Sequence, residues 1–429
     1  MTARRTHIVG AGIAGLSAAL AVTADGGEAV VYEAAPQPGG RCRTLRPTDG
    51  FAHDNGTHVL FTANTHALDL LKAVGARDRW FEPEPEGLPL YHGRTGELRR
   101  IGRSPWSWLS PSRRPHGLTL ADCARILRLV FTARDCPVAS VIGQRPIMES
   151  LIEPLTVAVL NTPSSHASSQ RLASALRQLL MPGSGHLLVA RNGLSEDLIE
   201  PALATLEARG ATVLPGQRLR VLLTGHERVI GLALTDRTVM LGPDDHVILA
   251  LPPYEIERLL PALPVPTSFE PILNVHYRMK GLAIPRFVGL IGTLAQWALI
   301  RPTHVSVTVS AADAVIDRNP ADVASEIWRE IAPALRVLGL DANSGHRPET
   351  RVVKEKRATI RQAAEALPQP PLRPLANLAL AGDWLGSLPA TIESAVMAGE
   401  HAVRLLRDAH GTRSSTPYGR SLTTEDDAA

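Results

Sequence analysis

The chain has 429 residues, 44% of them apolar, which is enough for two domains and a large core and excludes a disordered protein. A formal net charge of +3 is too small to make nucleic acid a partner. The cysteines Cys42, Cys123 and Cys136 make an odd count without metal-ligand spacing, so a reducing, cytoplasmic compartment and no metal are expected.

The first 75 residues read strand, helix, strand. An apolar run, His7-Ile8-Val9, meets Gly10-Ala11-Gly12-Ile13-Ala14-Gly15 and then a helix of small residues. In such a turn Gly10 permits the reversal, Gly12 lets the backbone approach a pyrophosphate, and Gly15 lets the helix lie close on the strand. The pyrophosphate would sit on the free amides around Gly12, Ile13 and Ala14, at the positive end of the helix dipole. Val30-Val31-Tyr32 then ends in Glu33, whose carboxylate can accept hydrogen bonds from both ribose hydroxyls and repels a 2′-phosphate. A dinucleotide ligand is expected. A second corner, Gly39-Gly40-Arg41, resembles the GGR turn of glutathione-reductase-like flavoproteins. The resemblance favours FAD over NAD, with the Arg41 fork on the diphosphate.

Asn55, Gly56, Thr57 and His58 are expected along the flavin edge, where Gly56 allows close backbone approach. His58 opens a strand through Phe61 and is a candidate proton donor, or else a structural histidine. A helix follows at Thr65–Val74. From Phe81 to Arg114 the pattern breaks into proline, arginine and tryptophan. The cationic and indole residues of 99–114, with the amphipathic stretch to 132, read as an interfacial membrane anchor or as a basic loop with its tryptophans turned inward.

Helical periodicity marks Leu118–Thr132, Ile147–Leu160, Ser168–Leu180 and a helix after Asn192-Gly193 that ends at Gly210. Short strands follow at Ala211–Leu214, Arg218–Leu223, Val229–Leu234 and His246–Ala250; Leu219 in the second is a candidate cofactor contact. Residues 270–310 are strand-rich, and a helix is expected near Val323–Leu338. Asn274, His276 and Arg278 fall on one face of a strand, and His276, Tyr277 and Asn161 join His58 as catalytic candidates.

Near the C-terminus, Leu378-Ala379-Leu380-Ala381 ends in Gly382-Asp383, a carboxylate placed for a ribityl chain. Pro389 precedes a helix whose first residues Ala390, Thr391 and Ile392 would aim amides at the pyrimidine end of the flavin. Residues 410–429 read as a disordered tail. No uncharged apolar run reaches the roughly 20 residues needed to span a bilayer, and no secretory leader is recognised, so a soluble or peripheral cytoplasmic protein is expected.

The fold class is therefore α/β. A Rossmann-like FAD-binding domain of glutathione-reductase type is expected from 1–75, 191–265 and 371–409. A mixed α+β substrate domain is inserted as 76–190, helical, and 266–370, strand-rich.

These segments, GAGIAGLSAA, YEAAPQPGGRCRT, DNGTHVL, LNTPSSHASSQ, RNGLSEDLIEPAL and LALAGDWLGSLPATIESAVMAG, resemble the flavin amine oxidase and phytoene desaturase superfamily. The middle motifs are most similar to its hydroxysqualene dehydroxylase family. That resemblance implies reductive removal of the allylic hydroxyl of hydroxysqualene, by hydride from noncovalent FADH2 in an apolar tunnel. The substrate would come from upstream prenyl synthases, within hopanoid-type squalene biosynthesis. A carotenoid or other isoprenoid desaturase, running hydride transfer the other way, is the alternative. Amine oxidation is disfavoured. Asn274 stands where amine oxidases carry a lysine that holds water, and Thr391 where they place a cage tyrosine.

Overall fold

The computed structural model describes residues 5–102, 105–181, 183–343 and 345–408; the side chain of Trp106 and the tail at 410–429 lie outside the described residues. Five parallel strands form one sheet in the order Thr212–Leu214, Glu28–Tyr32, Arg5–Val9, His246–Leu249, Leu378–Leu380. Its inner strands are buried on both faces, which is why their sequences run apolar without alternation. Three distant stretches of chain are thus joined edge to edge by backbone hydrogen bonds.

Helix Ile13–Ala24 is buried almost all round, between this sheet and helix Ile392–Asp408. Glycine makes that closeness possible. A Cβ on Gly15 would lie 1.8 Å from the Gly10 carbonyl oxygen, and one on Gly399 would lie 2.3 Å from that of Ala14.

A second sheet has seven strands in the order Thr350–Ile360, Phe269–Arg278, His304–Val309, Trp297–Ile300, Arg286–Ile291, Leu88–His92, Leu98–Ile101. It is antiparallel except where Arg286–Ile291 runs parallel to Leu88–His92. The stretch 81–114, expected to be irregular, therefore supplies two strands. Their sequences hid it: a proline at 89 and arginines at 99 and 100 are tolerated only because this hairpin lies at the sheet's end. Helix Pro320–Val337 packs on one face through Ile327, Trp328 and Ile331, against Leu273, Val275 and Tyr277. The even-numbered residues of the same strand face the other way.

Helices Leu120–Val130, Glu153–Leu160 and Ser169–Leu179 close that other side around a small core of Leu129, Ile142, Ile152, Leu160 and Leu172. Thr119 and Asp122 form a reciprocal cap on the first, and Ser168 caps the third. The helix expected over Ile147–Leu160 is broken at Ile152, where a wide turn, Met148–Ile152, gives way to regular helix. Pro154 has no N–H to complete the regular ladder, and the same event precedes Pro201.

Candidate active site

One continuous cavity of about 1140 Å³ runs from Glu33 at the edge of the parallel sheet to Leu180 among the helices. Its polar end is built from the glycine corners. The Gly10 amide donates to the Tyr32 carbonyl (2.7 Å) and the Gly39 amide to that of Ala11 (2.8 Å), so the first corner is braced by the second strand and by the second corner. A Cβ on Gly40 would sit 3.2 Å from the Gly12 Cα, whereas one on Gly12 would meet nothing within 4 Å and would project into open space. Gly12 caps helix Ile13–Ala24 with no side-chain hydrogen bond and no acid in the first turn. The positive helix end is therefore left to a ligand. Gly15 lies beneath this wall rather than on it.

Glu33 accepts from the amides of Ala11 and Ala35, both at 2.8 Å, which aims its carboxylate at the cavity. Beside it, Gln217 and Leu219 line the wall, and the buried Gln217 Oε1 has no hydrogen-bond partner. Toward the middle, Asn55, Gly56, Thr57 and His58 line the cavity, and Thr57 Oγ1 is likewise buried and unpartnered. Two orphaned polar atoms and a cradle that one Cβ on Gly12 would fill fit an elongated polar ligand such as FAD.

Arg41 and Asp383, 342 positions apart, meet directly: Nη2 lies 2.7 Å from Oδ1, and Nη1 donates to the Ala358 carbonyl. The neighbouring carboxylate raises the Arg41 pKa above its ordinary value. The two residues expected at diphosphate and ribityl chain are thus a pair spanning the cavity floor.

At the C-terminal helix the expectation of free amides needs correction. The Ala390 amide donates to Gln362 Oε1 (2.9 Å) and that of Thr391 to Ser394 Oγ (2.9 Å), which leaves Ile392 to face the cavity with its amide. Gln362 is a residue that sequence reasoning missed. Fully buried, it also donates from Nε2 to the Leu160 carbonyl (2.7 Å) and from its amide to Thr162 Oγ1 (3.1 Å). Arg171 holds the Gly386 and Leu388 carbonyls of the same loop. Nothing in the spacing of these residues signals the clamp, because its partners come from three separate stretches of chain.

The catalytic candidates separate. His58 lies in an irregular stretch just ahead of strand Leu60–Phe61, not at the start of a strand, because pairing with Leu187–Ala190 begins only at Leu60. It lines the cavity, with Nδ1 3.1 Å from the Gly56 carbonyl. Burial opposes its charged form, but a hydrogen bond with Cys42 and the Gly56 carbonyl outweigh it, and its pKa is pushed up to about 9. Cys42 was not among the sequence candidates.

Asn161 also lines the cavity, but its polar atoms are used in holding the wall. It ends helix Glu153–Leu160 in a left-handed conformation (φ 47°), donates to the Glu270 carbonyl and Thr359 Oγ1, and accepts from the Ala311 amide. His276 and Tyr277 are corrections. His276 shares the cavity-side face of its strand with Asn274, yet His53 stacks over it (4.5 Å between centroids) and Ser306 holds Nδ1 at 2.8 Å. Tyr277 points to the opposite face, where its hydroxyl donates to the Ala324 carbonyl. Burial holds His276 neutral and raises the Tyr277 pKa, so neither is a proton donor for the cavity.

The far end of the cavity is apolar, walled by Ile126, Val130, Leu151, Leu155, Leu176 and Leu179. Around it, large apolar side chains stand exposed: Leu120 (89%), Phe131 (69%), Leu109, Leu127, Leu180 and Met181. The arginines and tryptophan expected to anchor this region are spent internally. Trp108 turns inward, donating from Nε1 to the Gly102 carbonyl; Arg113 donates to Glu86, and Arg114 to Trp108 and Leu109. The exposed apolar surface belongs instead mainly to helix Leu120–Val130 and the end of Ser169–Leu179.

With this geometry in view, comparison with known proteins is specific. The family of flavin-containing amine oxidoreductases matches residues 13–407. The hydroxysqualene dehydroxylase of Sinorhizobium fredii is 34% identical over 414 residues, 94% of this chain and 98% of that protein. The hydroxyneurosporene desaturase of Rhodobacter capsulatus is 30% identical over only 49% of this chain and 39% of its own length. In three dimensions the chain is similar to cyclohexylamine oxidase from Brevibacterium oxydans, with TM-score 0.66 and 15% identity over 95% of this chain and 99% of that one, a likeness of fold.

Proposed function

Because the chain belongs to the flavin-containing amine oxidoreductases and, among them, to the hydroxysqualene dehydroxylase family, we propose that it converts hydroxysqualene to squalene. The observation that carries this reading is one cavity joining the glycine cradle to a long apolar tunnel. FAD, held by the two glycine corners, Glu33 and the Ile392 helix start, supplies the hydride when reduced. Every other task falls to side chains of the chain.

The allylic hydroxyl leaves only as water, so it needs a proton, and His58 is the cavity group charged at neutral pH with a proton to give. The apolar wall excludes the water that would recapture an allylic cation. Asn274, bonded to the Asn55 carbonyl (3.3 Å) and to Thr308 Oγ1 (2.8 Å), fixes the strand behind Gly56 and carries no charge to compete with the cation.

The substrate is an apolar product of prenyl condensation, and the exposed leucines and Phe131 at the tunnel end support uptake from a membrane surface. Among the described residues no helix is long and apolar enough to cross a membrane, so the contact is peripheral in this reading. Flotation with liposomes should weaken in Leu120→Ser/Phe131→Ser; equal flotation removes the membrane contact.

The function is tested by mixing photoreduced protein with hydroxysqualene and analysing products by gas chromatography. Squalene is the expected product. No squalene, with desaturation of phytoene in the presence of an electron acceptor, would overturn the assignment in favour of a desaturase.

A further inference from the structure

We propose that Cys42 is a positioning residue for the dehydroxylation, holding the His58 imidazole as the group that protonates the departing hydroxyl. This inference rests on the function proposed above. Cys42 and His58 lie on the same stretch of cavity wall although they come from different segments, Cys42 from the second glycine corner and His58 from the stretch after Gly56. The thiol and the ring share a hydrogen bond. Nδ1 faces the Gly56 carbonyl, which can only accept, so that nitrogen is committed as a donor and Nε2 is left for the proton that moves.

Few other groups bear on the ring. Arg41, next to Cys42 in sequence, disfavours a second positive charge, but its guanidinium is directed to Asp383 and the Ala358 carbonyl. From the seven-stranded sheet comes the neutral Asn274 amide, 3.3 Å from where a Cβ on Gly56 would sit. Burial alone would discharge the ring; the sulfur is the one side chain found to favour the charged form.

The step balances without a further reactant. The Nε2–H bond breaks as the proton passes to the hydroxyl oxygen. The C–O bond breaks with its electron pair on oxygen, and water leaves. The carbon gains the hydride supplied by the reduced cofactor, and solvent returns a proton to His58. The carbon is reduced by two electrons and the cofactor is oxidised by two.

The test uses FAD-loaded full-length protein with ¹³C-labelled histidine, the His58 resonance being assigned by its loss in His58→Gln. The wild-type resonance should titrate near pH 9. In Cys42→Ala the midpoint should fall by two units or more, with part of the shift recovered in Cys42→Ser. The basic limb of kcat should move by the same amount, cutting kcat at pH 8 about thirtyfold with little change in KM. Equal midpoints in wild type and Cys42→Ala overturn the proposal, as does a shifted midpoint with an unmoved kcat limb. A shifted midpoint in a protein that makes no squalene at any pH overturns the proposed reaction and leaves the Cys42–His58 pairing supported.

Discussion

His304 is the sharpest place to test the energetics of this fold. Its ring is 5% exposed, edge-on to Phe51 and His276, with Thr303 Oγ1 3.0 Å from Nδ1 and no partner for Nε2. Burial first, then Arg301 and His53, push its pKa down to about 4. In the unfolded chain it would be about 6.5. A group whose folded pKa is depressed below the unfolded value binds more protons when unfolded. Acid therefore destabilises the native state from about pH 6.5 down to about pH 4 and no further. At 1.36 kcal/mol per unit, the loss between pH 7 and pH 4 is about 3 kcal/mol from this one ring. His304→Asn keeps a partner for Thr303 and removes the titration. Urea unfolding of both proteins at pH 7 and pH 4 cancels the other titrating groups to first order. Wild type should lose about 3 kcal/mol more than the variant on acidification. Equal losses would mean that His304 is solvated or paired in solution, and the reasoning from burial would fail.

Glu270 tests the opposite sign. Burial and its contact with Asp313 raise its pKa to about 7, so the folded state retains a proton that the unfolded state releases. Wild type should lose stability relative to Glu270→Gln as pH rises from about 4.5 to about 7, followed by thermal melting across that range. Replacing Glu33 by Gln removes a charged acceptor held by two amides; FAD should bind roughly 10- to 100-fold more weakly, measured by flavin fluorescence, and unchanged affinity would remove Glu33 from the site. Gly15→Ala drives a Cβ into the Gly10 carbonyl, so it should cost about 3 kcal/mol or more and lower both melting temperature and flavin content; a variant with wild-type melting would contradict the close packing.

The dinucleotide end was legible because its chemistry is local. A strand, a glycine turn, a helix start and a carboxylate lie within 33 residues, and each needs a particular backbone conformation that only certain residues allow. The same holds for Leu378–Leu380 followed by Asp383. The strands at Leu88–His92 and Leu98–Ile101 were not legible, since their partners lie far along the chain and edge strands tolerate proline and arginine.

Strand alternation correctly put Asn274 and His276 on one face, but it could not say that His53 would cover one and leave the other at the cavity. Gln362 and Cys42 carried no signal at all. A buried glutamine and a small thiol gain meaning only from the atoms opposite them, here the Leu160 carbonyl, the Ala390 amide and the His58 ring. Sequence alone determined the flavin cradle and the class of fold, because backbone conformation and helix dipoles are properties of adjacent residues. Which side chains meet the substrate was decided by tertiary packing, because hydrogen bonds and desolvation depend on neighbours that the chain brings in from hundreds of positions away.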